Sequence, residues 1–320
     1  MIKKYIYICA AGHSGSTLLD LLLGSHSKVE SLGEITQLPK NISLNTICMC
    51  GKPVKECGLW TKVLSSIGEE MGVDLLSHPY VLNLGFINAQ VIVDHNHQNS
   101  IYNYRRKFSR ALNYATLAYG PKWLYKARIE GDHTILNNFR LYKNIMHFQG
   151  VNCIVDSSKD YLKAVKLYYT EPKKVKLILL VRDGRGVFYS NLKRGASKKE
   201  SLMAWLNHSR RAIKLINRHI PERDYLIVKY EDLGADTRRE LRRICDFVGL
   251  EYEENMLEFL AQTHHIANGN NMRFASSAKI RLDLAWQEKL GATEIDYFKR
   301  VAGSINQRFG YPDAINKRKN

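Results

Sequence analysis

Four short, continuous apolar runs rich in β-branched residues punctuate the chain: KKYIYICAA from residue 3, NCIVDSS from 152, KVKLILLVRD from 174 and DYLIVKYEDL from 224. Each closes in a polar or glycine-containing turn, the pattern of strands buried on both faces of a parallel sheet. Between and after them the apolar spacing changes to that of helices, in STLLDLLLGSH, KDYLKAVKLYY, ESLMAWLNHSRRAIKLINRHI, RRELRRICDFVGL and TEIDYFKRVAGSINQRFG. Strand followed by helix, repeated, predicts an α/β fold with helices on both faces of a central sheet. Trp205, on the amphipathic and basic WLNHSRRAIKLINRHI, either lines the acceptor site or contacts phosphate, or, as is commoner for an aromatic at helical spacing, lies in the core. Residues 60–150 break the rhythm. They are rich in Tyr, Asn, Arg and Lys with weak helical periodicity, and predict a helical insertion near the acceptor side of any site. The expected organisation is one domain over residues 1–320 with that insertion inside it, ending in a loose basic tail, NKRKN.

Charge narrows the function. The 320 residues carry 48 Lys and Arg against 31 Asp and Glu, a formal +17, so the surface attracts anions: nucleic acid, nucleotides or acidic glycans. No segment approaches the ~20 apolar residues of a membrane span. The basic, apolar start MIKKYIYICAAGHSGS is explained by a buried first strand rather than a signal peptide, because a glycine turn and helix follow at once; a cytoplasmic location is the default expectation. Of six cysteines, Cys9, Cys153 and Cys245 lie in apolar company and read as buried thiols. Cys48, Cys50 and Cys57 cluster in CMCGKPVKECGLW. A plain structural knuckle is favoured over a disulfide or a metal site, since a structural zinc site takes four ligands and no histidine lies within this stretch.

The turn AAGHSGST follows the first strand directly. A glycine-rich turn entering a helix directs backbone N–H groups toward one point, where the helix amino terminus adds positive potential: an anion cradle. Gly12 and Gly15 permit close approach, Ser14, Ser16 and Thr17 offer hydroxyls, and Leu18, Leu19, Leu21 and Leu22 anchor the helix. A nucleoside triphosphatase loop, G-x-x-x-x-G-K-[ST], would carry a lysine after the second glycine. Here Ser16 stands there, which argues against triphosphate hydrolysis and leaves a metal-free cradle for a 5′-phosphate-type group.

AAGHSGSTLL resembles the 5′-phosphosulfate loop of sulfotransferases that use 3′-phosphoadenosine 5′-phosphosulfate (PAPS), and LILLVRDGRGVFYSNLKRG resembles the same family's element that grips the 3′-phosphate, in the expected order. The chain is thereby similar to bacterial sulfotransferases and, in some motifs, to tyrosylprotein sulfotransferases. The resemblance implies a P-loop-like central parallel sheet, PAPS as sulfuryl donor and no metal. It implies that Gly12, His13, Ser14, Gly15, Ser16 and Thr17 bind the phosphosulfate, and that Arg182 and Ser190 bind the 3′-phosphate, for which a guanidinium fork beside a hydroxyl is apt chemistry. VDSSKDYLKAVKLY is similar to the segment whose lysine faces the transferring group, giving Lys159. HHIANGNNMRF looks like the late loop that closes over the nucleotide, giving Gly269, Asn270 and Arg273. VKYEDL places Tyr230 near the nucleotide by analogy, and the same residue reads equally well as a buried tyrosine ending a strand.

Sulfuryl transfer between two oxygens requires removal of the acceptor's proton and stabilisation of charge on the leaving phosphate, mostly by positioning and cationic hydrogen bonds. Lys159 is the expected cation. His13 departs from the family's usual lysine or arginine, and its charge depends on surroundings. Glu34, in ESLGEITQL, matches the glutamate base of the tyrosylprotein enzymes and otherwise reads as a helix cap; His95, His97, His264 and His265 are weaker candidates. The acceptor, whether glycan, lipid, peptide or small phenol, and the oligomeric state leave no mark in the sequence. Two other readings compete: a nucleic-acid-binding protein, from the charge and the Tyr/Arg interleaving of IYNYRRKFSRALNYATLAYG, and a P-loop nucleotide kinase. Neither explains two phosphate elements in their order, so no nucleic-acid partner is expected.

Overall fold

A computed structural model describes residues 3–85, 100–129, 132–274, 280 and 282–313. Five strands form one sheet: β1 (Lys4–Ala10), β2 (Val29–Ser31), β3 (Cys153–Lys159), β4 (Val175–Val181) and β5 (Tyr225–Lys229). Their order is β2-β3-β1-β4-β5, every neighbouring pair being parallel. Four are the apolar runs of the sequence. β2 is three residues long, too short to leave a periodic signal.

Thirteen α-helices are present among the described residues. α1 (Ser16–Gly24) and α2 (Leu38–Ser43) precede a group within the unpatterned stretch: α3 (Gly58–Met71), α4 (Ser100–Tyr119), α5 (Lys122–Ile129) and α6 (His133–Gln149). α7 (Tyr161–Thr170), α8 (Gly184–Leu192), α9 (Lys198–His219), α10 (Tyr230–Ala235) and α11 (Thr237–Val248) alternate with the later strands, and α12 (Trp286–Lys289) and α13 (Ala292–Arg308) follow.

The strands explain the double layer of helices. Along β1, Tyr5, Tyr7 and Cys9 enter one apolar cluster, with Trp60, Tyr142, Leu162 and Trp205, while Ile6, Ile8 and Ala10 enter another, with Leu19, Leu22, Leu241 and Ile244. β4 divides likewise, Leu177 and Leu179 to the first and Ile178 and Leu180 to the second. Both faces of the sheet are therefore buried, which is why these runs are continuously apolar. Trp205 is core, packed on Phe298. Two tyrosines of α4 pack on basic residues of α9, with Arg211 over Tyr114 and Lys214 over Tyr119, the latter at 3.6 Å. Cation–π packing thus accounts for Tyr114 and Tyr119 of the stretch that suggested nucleic acid. No helix among the described residues is long and apolar enough to cross a membrane.

The chain turns from strand to helix at the carboxyl edge of the sheet, where open parallel sheets place their ligands. Two of these turns follow one rule. Asp160 caps α7 by accepting from the amides of Leu162 and Lys163, and Asp183 caps α8 by accepting from that of Arg185. Each cap is preceded by a cation, Lys159 and Arg182, which the cap geometry holds at the edge.

Candidate active site

The turn between β1 and α1 is built on positive φ at His13 (61°) and Gly15 (86°). Gly15 is required twice: its φ suits glycine, and a Cβ there would stand 2.4 Å from the Tyr230 ring. Gly12 differs, for nothing among the described residues lies within 4 Å of a Cβ built on it, so the space beside it is open among them. Ser14 is buried with no partner for its Oγ among the described residues. The amide of Leu19 is the first to bond back, to the Gly15 carbonyl, and those before it in α1 are left for an outside acceptor. His13 is held below the ordinary histidine range by burial and by Arg194, Lys159 and Arg182 around it. Its imidazole is a neutral group near pH 7 rather than a fixed cation.

Glu34 and Lys159 meet across the cleft as a hydrogen-bonded ion pair. Glu34 stands at the start of a short 3₁₀ turn but makes no capping bond, so the helix-cap reading is not realised. Its turn is pinned to the exit of β3: the Ser157 amide donates to the Gly33 carbonyl at 3.0 Å and the Thr36 amide to Ser158 Oγ at 3.2 Å. Lys159 takes φ 70°, uncommon for a side-chain-bearing residue, where β3 leaves its regular register beside Cys9. Arg110 of α4 reaches Asp160 at 2.5 Å, which brings α4 beside Lys159.

Arg182 is buried at the end of β4. Its Nη1 donates to the His13 carbonyl at 3.0 Å, and its Nη2 to the Asp283 carbonyl at 2.7 Å and to Asp283 Oδ2 at 3.0 Å. Its Nε has no partner among the described residues, and its guanidinium lies 4.6 Å from the centre of the Tyr230 ring. Ser190, in α8, donates to the Gly186 carbonyl at 2.9 Å and keeps its acceptor lone pairs. Asp183 does not pair with Arg182; it holds Arg185 at 2.6 Å, and that buried pair is structural.

Two cavities meet here. One of about 580 Å³ is lined by Arg182, Ser190, Lys193, Tyr230 and Asp283. Another of about 360 Å³ is lined by Gly12, Ser16, Thr17, Glu34, Lys159 and Gly269. His13, Gly15, Arg194, Asn270 and Met272 line both, so the β1 turn and the β4 turn face one cleft. The Asn270 amide donates to Thr17 Oγ1 at 3.3 Å, laying the late loop over the β1 turn.

The structure does not bring every predicted residue to the cleft. Arg273 lines neither cavity; its Nη1 donates to the Ile266 carbonyl at 3.2 Å and it stacks on Phe274. His264 is buried and bonded to the Phe259 carbonyl. His95 and His97 lie outside the described residues. Asp283, Met272 and Tyr189 line the cleft without having been singled out, although Met272 and Tyr189 lie inside segments whose resemblance was drawn on other positions.

Away from the cleft, the cysteine-rich stretch gains a partner that its local sequence lacks. The donor atoms of Cys48, Cys50, Cys57 and His265 lie within 4.8 Å of one another. All three thiols are free, so the disulfide alternative is not realised, and the plain knuckle acquires a fourth donor 208 residues away. The hydrogen bond between Cys48 and Cys57 holds the Cys57 thiol below the ordinary thiol range, with the His265 bond acting the same way.

A family model described as "Sulfotransferase family" matches residues 85–254. No curated protein matches the chain. Among solved structures, the sulfotransferase domain from the Synechococcus PCC 7002 olefin synthase is 19% identical, with a TM-score of 0.55 over 97% of this chain and 95% of that one. The sulfotransferase domain from the curacin biosynthetic pathway is 16% identical, with a TM-score of 0.47 over 97% and 96%. A sulfotransferase from Mycobacterium tuberculosis is 12% identical, with a TM-score of 0.44 over 82% and 72%. The first of these shares the fold.

Proposed function

The chain belongs to the sulfotransferase family, and on that footing we propose that it moves a sulfuryl group from PAPS to a hydroxyl or amine, with Glu34 as general base. The single observation that carries this reading is the shared cleft between the β1 turn and the β4 turn. One end offers amides and the hydroxyls of Ser16 and Thr17, and the other offers Arg182, Ser190 and Lys193.

The residues fit a nucleotide with two separate phosphate groups. Arg182, which lines the cleft, keeps a buried Nε without a partner among the described residues, a costly arrangement that a bound anion relieves. The open space beside Gly12 admits a phosphate close to the backbone. When bound, PAPS supplies an electrophilic sulfuryl group on a phosphate leaving group.

The chain's own residues then have distinct tasks. The β1 turn and Thr17 bind the 5′ end, and Arg182 and Ser190 bind the 3′-phosphate. Tyr230, stacked on Arg182 and packed against Gly15, separates the two anion sites and fixes both. Lys159 donates to the oxygens where negative charge accumulates. Glu34, now paired with Lys159, accepts the proton of the acceptor's hydroxyl or amine once the ammonium turns to the incoming anion. Neutral His13 donates a hydrogen bond there instead of a charge. The inserted helices, joined to this end through Arg110 and Asp160, contribute the acceptor side, where a glycan, lipid, peptide or phenol would sit. The setting proposed is the cytoplasm.

The decisive measurement is a thermal-shift comparison of adenosine 3′,5′-bisphosphate with ATP and Mg²⁺, followed by transfer of labelled sulfate from PAPS to an acceptor panel. A rise in midpoint with the bisphosphate alone supports the reading. A response to ATP with Mg²⁺ and none to the bisphosphate rejects it in favour of a nucleotide kinase.

A further inference from the structure

Three cysteines and a histidine converge between the 46–57 turn and the 264–270 loop. Cys48 and Cys50 sit on a tight reversal closed by hydrogen bonds from the Gly51 amide to the Cys48 carbonyl and from the Cys48 amide to the Lys52 carbonyl, both 2.9 Å. Gly51 takes φ 86° there, and a bridge between Ile47 and Pro53 completes the turn. Cys57 stands at the N-cap of α3. His265 places Nδ1 3.2 Å from Cys57 Sγ, and its carbonyl accepts from Trp60 Nε1 at 2.9 Å.

From this arrangement we infer that Cys48, Cys50, Cys57 and His265 bind one zinc ion in a closed, structural site. Three sulfurs and one imidazole nitrogen form a Cys₃His set, the ligand chemistry that selects Zn²⁺ over harder cations. Donors around a tetrahedral zinc with Zn–S of about 2.3 Å lie roughly 3.5–4 Å apart. The observed cluster, with all four atoms within 4.8 Å, reaches that spacing by small side-chain rotations. A disulfide would use two of the three thiols, leave the third unpaired and give the imidazole no part. Cys48 and Cys57 are fully buried and Cys50 and His265 partly so, which keeps most of the cluster away from bulk water. Four protein ligands leave no open position, which makes the ion an anchor rather than a catalyst.

What the ion anchors is the loop over the cleft. The Met49 amide donates to the Ile266 carbonyl at 3.0 Å, and four residues after Ile266 the Asn270 amide reaches Thr17. Zinc would fasten the base of that loop to α3 and its preceding turn, next to the Gly33 turn that carries Glu34, on which Ile266 packs directly.

The test uses the full chain freed of any affinity tag and prepared without chelator. Elemental analysis is expected to give about one zinc per chain, lost in Cys48→Ser and in Cys57→Ser. Because these variants are open to misfolding, the wild-type protein carries a second measurement. Exchange into Co²⁺ is expected to give the intense visible bands of a tetrahedral thiolate site together with sulfur-to-cobalt charge transfer, and His265→Ala is expected to shift those bands and weaken the binding. Folded wild-type protein that keeps no zinc after anaerobic incubation and desalting, and shows no such bands with Co²⁺, would overturn the inference. Neither readout depends on sulfate transfer, so it stands or falls apart from the proposed activity.

Discussion

Glu34 and Lys159, 125 residues apart in sequence, are in direct contact across the cleft. The pair places a proton acceptor and a cationic donor side by side, which is what transfer between two oxygens demands. It also predicts how the two roles separate. Glu34→Gln keeps the shape of the pair and removes the base, so turnover should fall by about 10²–10⁴-fold while affinity for adenosine 3′,5′-bisphosphate is retained. Lys159→Met should instead lower turnover and weaken the nucleotide together. Steady-state rates and calorimetric affinities on both variants check this; a Glu34→Gln enzyme with full turnover removes the proposed base.

Arg182 is shared between the His13 carbonyl and Asp283. Replacing it with Ala should cost the nucleotide a charged hydrogen bond, about 1.5–3 kcal/mol, or roughly ten- to a hundredfold in Kd. Asp283 places a carboxylate on the same guanidinium where a phosphate would compete for it. Asp283→Asn should therefore move the affinity the opposite way, tightening the bisphosphate. If both variants bind it as the parent does, the 3′-phosphate is not held here.

The strands and the long flanking helices were legible because burial on both sheet faces leaves continuous apolar runs, and amphipathic faces leave helical spacing. Lys159 and Arg182 were legible because each ends an apolar strand run inside a recognisable motif, whereas the capping roles of Asp160 and Asp183 beside them emerge only from the structure. β2 was not, being three residues long. Arg273 was assigned by its place in a loop motif, yet its guanidinium turns to the Ile266 carbonyl, an orientation that sequence spacing does not encode. His265 escaped as a partner of the cysteines for the same reason that Asp283 escaped as a partner of Arg182. Each contact closes across more than a hundred residues, and the local sequence at either end is complete without it.

Gly12 and Gly15 lie in one turn and predict opposite results. Alanine at Gly15 must adopt a φ of 86° and displace the Tyr230 ring, a strain of about 1–3 kcal/mol before any clash. Gly15→Ala should lower the melting temperature by several degrees and weaken nucleotide binding as well. A methyl group at Gly12 meets no atom of the described residues within 4 Å, so Gly12→Ala should melt with the wild type and lose affinity alone, because it fills space meant for ligand. Differential scanning calorimetry with and without adenosine 3′,5′-bisphosphate separates the two. Equal loss of stability in both would mean that the space beside Gly12 has no ligand role.

Asp20 of α1 is fully buried, and that burial, joined by the charge of Asp156, pushes its carboxyl up to about 8. In the unfolded chain the same group titrates near 3.9. Between these values the folded protein holds a proton that the unfolded chain has released, so the unfolded state binds fewer protons and stability falls as pH rises. The contribution is fully present below about pH 4 and is lost through about pH 8, at a slope approaching ~1.4 kcal/mol per pH unit from this group alone. Asp20→Asn cannot ionise and escapes the loss. Its melting temperature relative to wild type should therefore climb steadily from pH 5 to pH 8.5, even if amide substitution costs stability at the acid end. Melting curves that stay parallel across that range would show that Asp20 does not carry the proton.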